Sequence, residues 1–328
     1  MTVKKLNFFQ KIFSINNSQD KRHKIVMFLG IKFSIKIKQM KLGVSYNLFD
    51  GEELLEASIK SIRNQVDYIN VIYQKKSYYN KLTKTDIEKF LNNLLKKGLI
   101  DEIYLYEKDF EDKNKRFFEK DKRDIGLKLA KRAKCTHFLN MDVDEFYDEE
   151  EIKNAKKFII DNKITTSAVS IYEYFKKPEY RFVDSYSYTN NQEKYSFYVP
   201  FIIKISKNVS YQKSNYFPCF VDPSRKLFSK GRFYLFSLQD VVMHHMSTIR
   251  KDLNIKYENS NYNITSKDII NDLKKEIFFW DFDRNKIYDT EYALFQNKLI
   301  KKVDNKFNIF LVQEDQDNNL KSLETSQK

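Results

Sequence analysis

The sequence predicts an α/β protein organised on an open, mostly parallel sheet, and three observations predict it. From Lys41 onward, apolar runs of strand length alternate with stretches whose apolar residues recur every three or four positions, the sign of strands joined by crossover helices. The fourth such run, Thr136 to Met141, ends abruptly in the carboxylates of Asp142, Asp144 and Glu145, and in a parallel sheet ligands gather beyond the carboxyl ends of the strands. The chain holds only 6 glycines, too few for a dinucleotide fingerprint or a P-loop to be argued.

Ten lysine or arginine residues from Lys4 to Lys41 face one acid, Asp20, a local charge of +9 within a net +14. Such a block suits an anionic surface, nucleic acid or the inner leaflet of a membrane. Within residues 1–20, Leu6, Phe8, Phe9, Ile12, Phe13 and Ile15 fit either a short amphipathic helix or a mobile segment. After a turn at Gly30, Ile31, Phe33, Ile35 and Ile37 alternate with Lys32, Ser34, Lys36 and Lys38, a basic hairpin with one apolar face. Residues 1–40 are therefore expected as an extension to a core domain over 41–257.

That core begins with a strand ending at Asn47, then a helix capped by Asp50 and Glu53, with Leu54, Leu55, Ser58, Ile59 and Ile62 on one stripe. A strand over 68–73 and a helix over 86–97 follow, the helix capped by Thr85 and Glu88 and stopped by Gly98. Next come a strand over 102–106 and a helix over about 121–134 that buries Ile125, Leu129 and Ala133 and leads into the carboxylate strand. Asp148 to Glu151 favour the start of a further helix that runs to Asp161. Strands over 167–174 and 198–205 flank an aromatic stretch, read as a long hairpin or lid, and Pro218 and Pro223 constrain the loop around Asp222. Val241 to Met246 forms a strand bearing His244 and His245; residues 258–312 predict a helical cover and 313–328 a disordered tail.

Hydrophobic residues make up 41% of the chain, ordinary for a folded protein. Apolar runs such as Ile25 to Leu29 fall far short of the roughly 18 to 20 residues that span a bilayer, and no signal-peptide pattern is expected at the N-terminus. Cys135 and Cys219 have neither a metal-binding spacing nor a disulfide framework, which fits a reduced, cytoplasmic setting.

On an extended backbone, period-two geometry sends Asp142 and Asp144 to one side, where two carboxylates can share a hard cation such as Mn²⁺ or Mg²⁺ and leave it positions for diphosphate oxygens. A solvated acidic turn is the plain alternative for the acids that follow. Strand alternation allows one of His244 and His245 to point into a site.

The helical segment Lys122 to Ala133 with its Arg123, the Asp142-Val143-Asp144-Glu145-Phe146-Tyr147 run and the later His244-His245 pair together resemble the Arg-helix-strand-DxD unit of GT-A glycosyltransferases of the family 2 type. The resemblance covers about Lys41 to Tyr257 in general pattern. It implies a GT-A, Rossmann-like sheet with helices on both faces. It also implies a metal-dependent, inverting transfer of sugar from a nucleotide-sugar, commonly a UDP-sugar, to a glycan or lipid-linked glycan of bacterial surface biosynthesis. Asp144 and His245 would hold Mn²⁺ or Mg²⁺, Asp142 would bind the metal or the ribose, and Asn47 and Arg123 would shape the nucleotide pocket. The family's later acidic base motif is not recognisable; Asp222 is the candidate base, with Glu173 behind it. Gln74-Lys75-Lys76-Ser77 stands where an acid often grips the base of the nucleotide. An anionic membrane surface is an expected partner and nucleic acid is not. Two readings of other classes are a non-enzymatic basic module binding nucleic acid or anionic lipid through residues 1–41, and a metal-dependent nuclease.

Overall fold

The computed structural model describes residues 13–17, 23–29, 31–36, 39–77, 82–83, 86–108, 115–190, 193–207, 209–211, 216–253, 255–256, 277, 280 and 299–311. The chain divides into two units, Met1–Met40 and Lys41–Lys328.

In the first unit β1 (Phe13–Asn17), β2 (His23–Phe28) and β3 (Ile31–Lys36) form an antiparallel sheet in that order. Residues 13–17, for which helix or mobility were the alternatives, are thus extended, because Ile15 and Phe13 pair across to Val26 and Phe28. Residues 1–12 lie outside the described residues.

The second unit starts with four parallel strands, β4 (Leu42–Leu48), β5 (Tyr68–Tyr73), β6 (Glu102–Leu105) and β7 (His137–Asp142). Their spatial order is β7-β4-β5-β6. β4 and β5 are almost wholly buried, which suits their near-continuous apolar sequence and a sheet covered on both faces. Connections run through helices α1 (Glu52–Ile62), α2 (Ile87–Lys96) and α3 (Lys115–Arg132). Strand order reverses between β4 and β7, the switch point at which such sheets open a ligand crevice. There the ends of the two strands pair Asn47 with Asp142.

Helix starts differ from expectation in informative ways. Gly51, not Asp50, is the N-cap of α1; its φ of 79° suits glycine, and the Arg250 guanidinium lies where a Cβ would sit. Asp86 caps α2 by accepting the Lys89 amide at 3.1 Å; Thr85 lies outside the described residues. α3 begins six residues earlier than its apolar period suggests, and Gly126 lets it approach the sheet: an added Cβ would stand 2.0 Å from Ser45 Oγ.

Past β8 (Glu145–Phe146) and helix α4 (Glu149–Asp161), capped by Asp148, the chain builds a second sheet around the 12-residue β9 (Ile164–Phe175). Strands β10 (Lys177–Phe182), β11 (Ser187–Asn190), β12 (Glu193–Ser196) and β13 (Tyr198–Pro200) come next. They are followed by β14 (Ile203–Lys204), β15 (Ser210–Tyr211), β16 (Leu227–Phe228), β17 (Arg232–Leu235), β18 (Val242–His245) and β19 (Ile300–Lys302). The second sheet runs β19-β10-β9-β18-β8, with β13 and β17 also on β9, while β14 closes the edge of the first sheet beside β7. The expected hairpin over 167–205 is therefore β9 turning back through β10, then a smaller β11-β12 hairpin, before β13 rejoins β9.

Most of the expected C-terminal helical cover, and the tail over 313–328, lie outside the described residues. The described part is partly extended: β19 pairs with β10, and Phe307 and Ile309 pack with Leu54 and Phe146. Among the described residues no helix is long and apolar enough to cross a membrane.

Candidate active site

The site forms where β7 stops. The Asp142 amide donates to Glu145 Oε2 at 3.0 Å, so Val143 and Asp144 make a turn instead of continuing the strand. The straight Asp-Val-Asp strand expected from period two is thus bent by the next acid in the sequence. Even so, Asp142 and Asp144 both line a cavity of about 220 Å³ together with Asn47, Arg123, Arg250 and Lys256.

Each carboxylate is met by its own cations. Arg123 Nη2 lies 3.2 Å from Asp142 Oδ2, and Arg225, from the proline-flanked loop, bonds the same oxygen and reaches Glu145 Oε1 at 2.5 Å. Arg123 also donates to Asn140 Oδ1 on β7. On Asp144 Oδ2 converge Arg250 Nη2 at 2.6 Å, Lys256 Nζ at 2.9 Å and His245 Nε2 at 3.6 Å. Burial pushes the Asp142 and Asp144 carboxyls upward, but the adjacent cations prevail and hold both below the usual carboxylate range. Glu145, 2% exposed, is raised, with burial outweighing Arg225.

The two histidines occupy opposite faces of β18. His244 is buried, accepts or donates at Nδ1 to Tyr174 Oη at 2.8 Å, and packs edge-on against Phe307. Burial pushes it down to about 3, so it is neutral. In register with Glu173 on β9 and Glu145 on β8, His245 places Nδ1 2.6 Å from Glu173 Oε1. Burial opposes its charge, yet Glu173 and Asp144 raise it to about 10. Ser247 Oγ donates to the other Glu173 oxygen at 3.2 Å. Glu173 is accordingly an orienting partner of His245 and not a free base.

Lys122 is buried beside Arg123, donates to Gln74 Oε1 at 2.9 Å and is pushed down to about 8 by burial. Gln74 and Ser77, in the segment expected to lack an acid for the nucleotide base, line the same cavity. Asn47 Oδ1 and the Nε and Nη1 of Arg250 are buried without a hydrogen-bond partner among the described residues. Asp222 caps the short turn that carries Arg225, accepting the Ser224 amide at 2.6 Å; it does not line the cavity, although its charge acts on Arg123 and Arg225. A larger cavity of about 600 Å³ beneath residues 306–311 holds neither Asp142 nor Asp144.

Among the described residues no three His, Cys, Asp or Glu side chains are gathered as a ready ligand set. Asp144 with His245 nevertheless fits a two-ligand site for a divalent ion, with His245 Nε2 giving up its proton as the ion binds. Glu173 on Nδ1 turns Nε2 toward Asp144, the carboxylate-histidine arrangement that orients metal ligands. Mg²⁺ is commonly bound through one or two carboxylates plus substrate phosphates. The charge balance fits as well: Asp50, Glu119, Asp142 and Asp144 face Lys122, Arg123, Arg250 and Lys256 in the cavity wall. A diphosphate entering alone would add uncompensated negative charge; entering with a dication it would not.

Neither a protein-family model nor a curated protein sequence matches the chain. Solved structures overlap it in part. The crystal structure of S. aureus TarS matches at 13% identity and TM-score 0.38, over 75% of this chain and 44% of that one. A structure of GalNAc-T7 with UDP, GalNAc and Mn²⁺ matches at 11% and 0.37, over 67% and 47%. S. aureus TarS 1-349 in complex with UDP-GlcNAc matches at 16% and 0.25, over 40% and 34%. The chain spans less than half the length of each of these three. The reading of the site rests on its own side chains.

Sequence reasoning reached Asn47, Arg123, Asp142, Asp144 and His245. It missed the contacts of Arg225 and Lys256, and the turn-forming role of Glu145. Those come from segments distant in sequence, and no local period announces them. The one available signal was the pair of prolines that stiffens the loop bearing Arg225.

Proposed function

We propose that the protein is a glycosyltransferase that moves a sugar from a nucleotide-sugar donor, of the UDP class, to a hydroxyl of a saccharide acceptor, with inversion at the anomeric carbon. The observation that carries this reading is the convergence of Arg250, Lys256 and His245 on one oxygen of Asp144, at the wall of a cavity opening where the parallel sheet reverses. This is an arrangement for a diphosphate and its counter-charge.

In this reading Asn47 and Asp142 meet the nucleoside, Asn47 through the carbonyl oxygen that lacks a partner. Arg123 and Arg225 hold the Asp142 carboxylate ionised and fixed in direction. Arg250 and Lys256 border the space for the diphosphate and stabilise the charge that develops on it as the bond to the sugar breaks. A Mn²⁺ or Mg²⁺ held by Asp144 and His245 would supply Lewis-acid neutralisation of the departing diphosphate. Glu173 keeps the His245 ring facing that position. The acceptor hydroxyl loses its proton to a carboxylate as its oxygen attacks the anomeric carbon. Neither Glu173, whose oxygens are engaged by His245 and Ser247, nor Asp222, which caps the Arg225 turn outside the cavity wall, is placed for that role.

The test is hydrolysis and transfer assayed on a panel of nucleotide sugars with and without Mn²⁺. UDP-sugar turnover that needs the metal and disappears in Asp144→Asn supports the reading. Indifference to every nucleotide sugar, or full activity in that variant, overturns it.

A further inference from the structure

The strongest feature that the sugar-transfer reading leaves unused is the three-stranded sheet of the first unit. Its register sorts the side chains cleanly. Phe13 lies opposite Phe28, Ile15 opposite Val26, Val26 opposite Phe33 and Phe28 opposite Ile31. Residues directly opposite share a face, so these six apolar side chains form one continuous surface. Ser14, Met27 and Lys32, with Asn16, Ile25 and Ser34, form the other. The apolar surface is open: Phe13 is 53% exposed, Ile15 52%, Phe28 49%, Ile31 59% and Phe33 48%. Leu29, at the turn between β2 and β3, adds a further apolar tip at 66%. A contiguous apolar patch of this kind marks a surface that is covered in function.

Charge identifies what covers it. Met1–Met40 holds nine lysine or arginine residues and the single acid Asp20. A second copy of the same face would bring like charge against like charge, whereas an anionic leaflet attracts it. A single sheet is thin enough that Lys32 on the far side stays within about a Debye length, roughly 10 Å, of a surface touching the apolar side.

We propose that residues 13–36 are a membrane-docking element whose apolar face, built from Phe13, Ile15, Val26, Phe28, Ile31 and Phe33, inserts into the interface of an anionic bilayer. Apolar insertion and lysine attraction act together, as in other interfacial elements that lie on a membrane without spanning it. The proposal stands independently of the sugar-transfer reading.

The experiment uses the full chain and phosphatidylcholine vesicles with and without phosphatidylglycerol. Co-sedimentation with the anionic vesicles is expected, weakened by high salt. Phe28→Ser with Phe33→Ser, which leaves the charge unchanged, is expected to weaken it about tenfold or more. Because that pair could unfold the sheet, conservative variants serve as the second measurement. In a Trp280→Phe background, Phe33→Trp fluorescence should be quenched by lipids brominated on their chains, while Met27→Trp on the opposite face should not. Four outcomes overturn the proposal: no binding of the full chain to anionic vesicles, equal binding by the double serine variant, equal quenching at positions 27 and 33, or a concentration-dependent dimer that the serine variant abolishes. The last would make a second copy the occupant of the face.

Discussion

Asp144 illustrates how a single carboxylate can be committed to its charge before any ligand arrives. It is 5% exposed, and isolated burial would favour its neutral form, yet Arg250, Lys256 and His245 hold it ionised. Asp144→Asn keeps the shape and removes the charge. Donor turnover in Mn²⁺ should then vanish while the far-ultraviolet circular dichroism stays as it was; retained turnover would remove Asp144 from the mechanism. The neighbouring histidines separate in the same way. His245→Ala should weaken Mn²⁺ binding in the presence of nucleoside diphosphate about tenfold or more, read by titration calorimetry. His244→Ala should leave that affinity in place and cost about 1 to 3 kcal/mol in urea unfolding, because it strands the buried Tyr174 hydroxyl. The opposite pattern would exchange their roles. Both histidines were visible in the sequence as strand neighbours on opposite faces. Which one faced the acids depended on β18 lying between β8 and β9, a pairing between segments about 70 and 100 residues apart that carries no local sign.

Elements transmit small local requirements into the site. α3 carries Arg123 toward Asp142 only because Gly126, three residues later, allows the helix to sit against β4, where Ser45 Oγ bonds Asn70 Oδ1 at 2.7 Å and Asn70 Nδ2 reaches the Gly126 carbonyl at 3.3 Å. Gly126→Ala must lift the helix from the strand. Overpacking of this kind costs about 1 to 3 kcal/mol, and donor affinity should fall with it as the Arg123 guanidinium leaves Asp142. Adding Ser45→Gly to the same chain should restore part of that affinity, measured by nucleoside diphosphate binding; no recovery would disconnect helix seating from Arg123 placement. The sequence made α3 and the four parallel strands readable, since period and near-continuous apolar runs mark buried elements. It did not reveal β8, β15 and β16, which are two residues long and have no period to read, and it joined β13 and β14 into one strand over 198–205. The α1 cap misled for a related reason: Asp50 and Glu53 have cap spacing, but Arg250, some 200 residues later, packs against Gly51 and decides the local backbone.

Across the whole molecule, each of the two main sheets contains one histidine buried in its neutral form. His137 starts β7 in the first sheet and is pushed down to about 4 by burial and then by Lys204 and Lys156; His244, in the second, is pushed down to about 3 by burial and then by Lys306 and Arg181. In the unfolded chain both would titrate near the ordinary value of about 6.5. The unfolded state therefore binds more protons than the folded one across the interval between these values. Stability from both histidines is fully present above about pH 6.5 and is lost as pH falls toward 4 and 3, with a slope that approaches about 1.4 kcal/mol per pH unit for each. Both sheets are weakened by the same acid step, so unfolding should remain a common event of the second unit and not the loss of one sheet ahead of the other. Urea unfolding of the full chain at pH 7, 6 and 5 should show this decline. His137→Asn and His244→Asn each lower the overall stability but should each flatten the slope, and the double variant should remove most of it. An undiminished slope in the double variant would assign the acid sensitivity to the carboxylates around Asp142 and Asp144 instead.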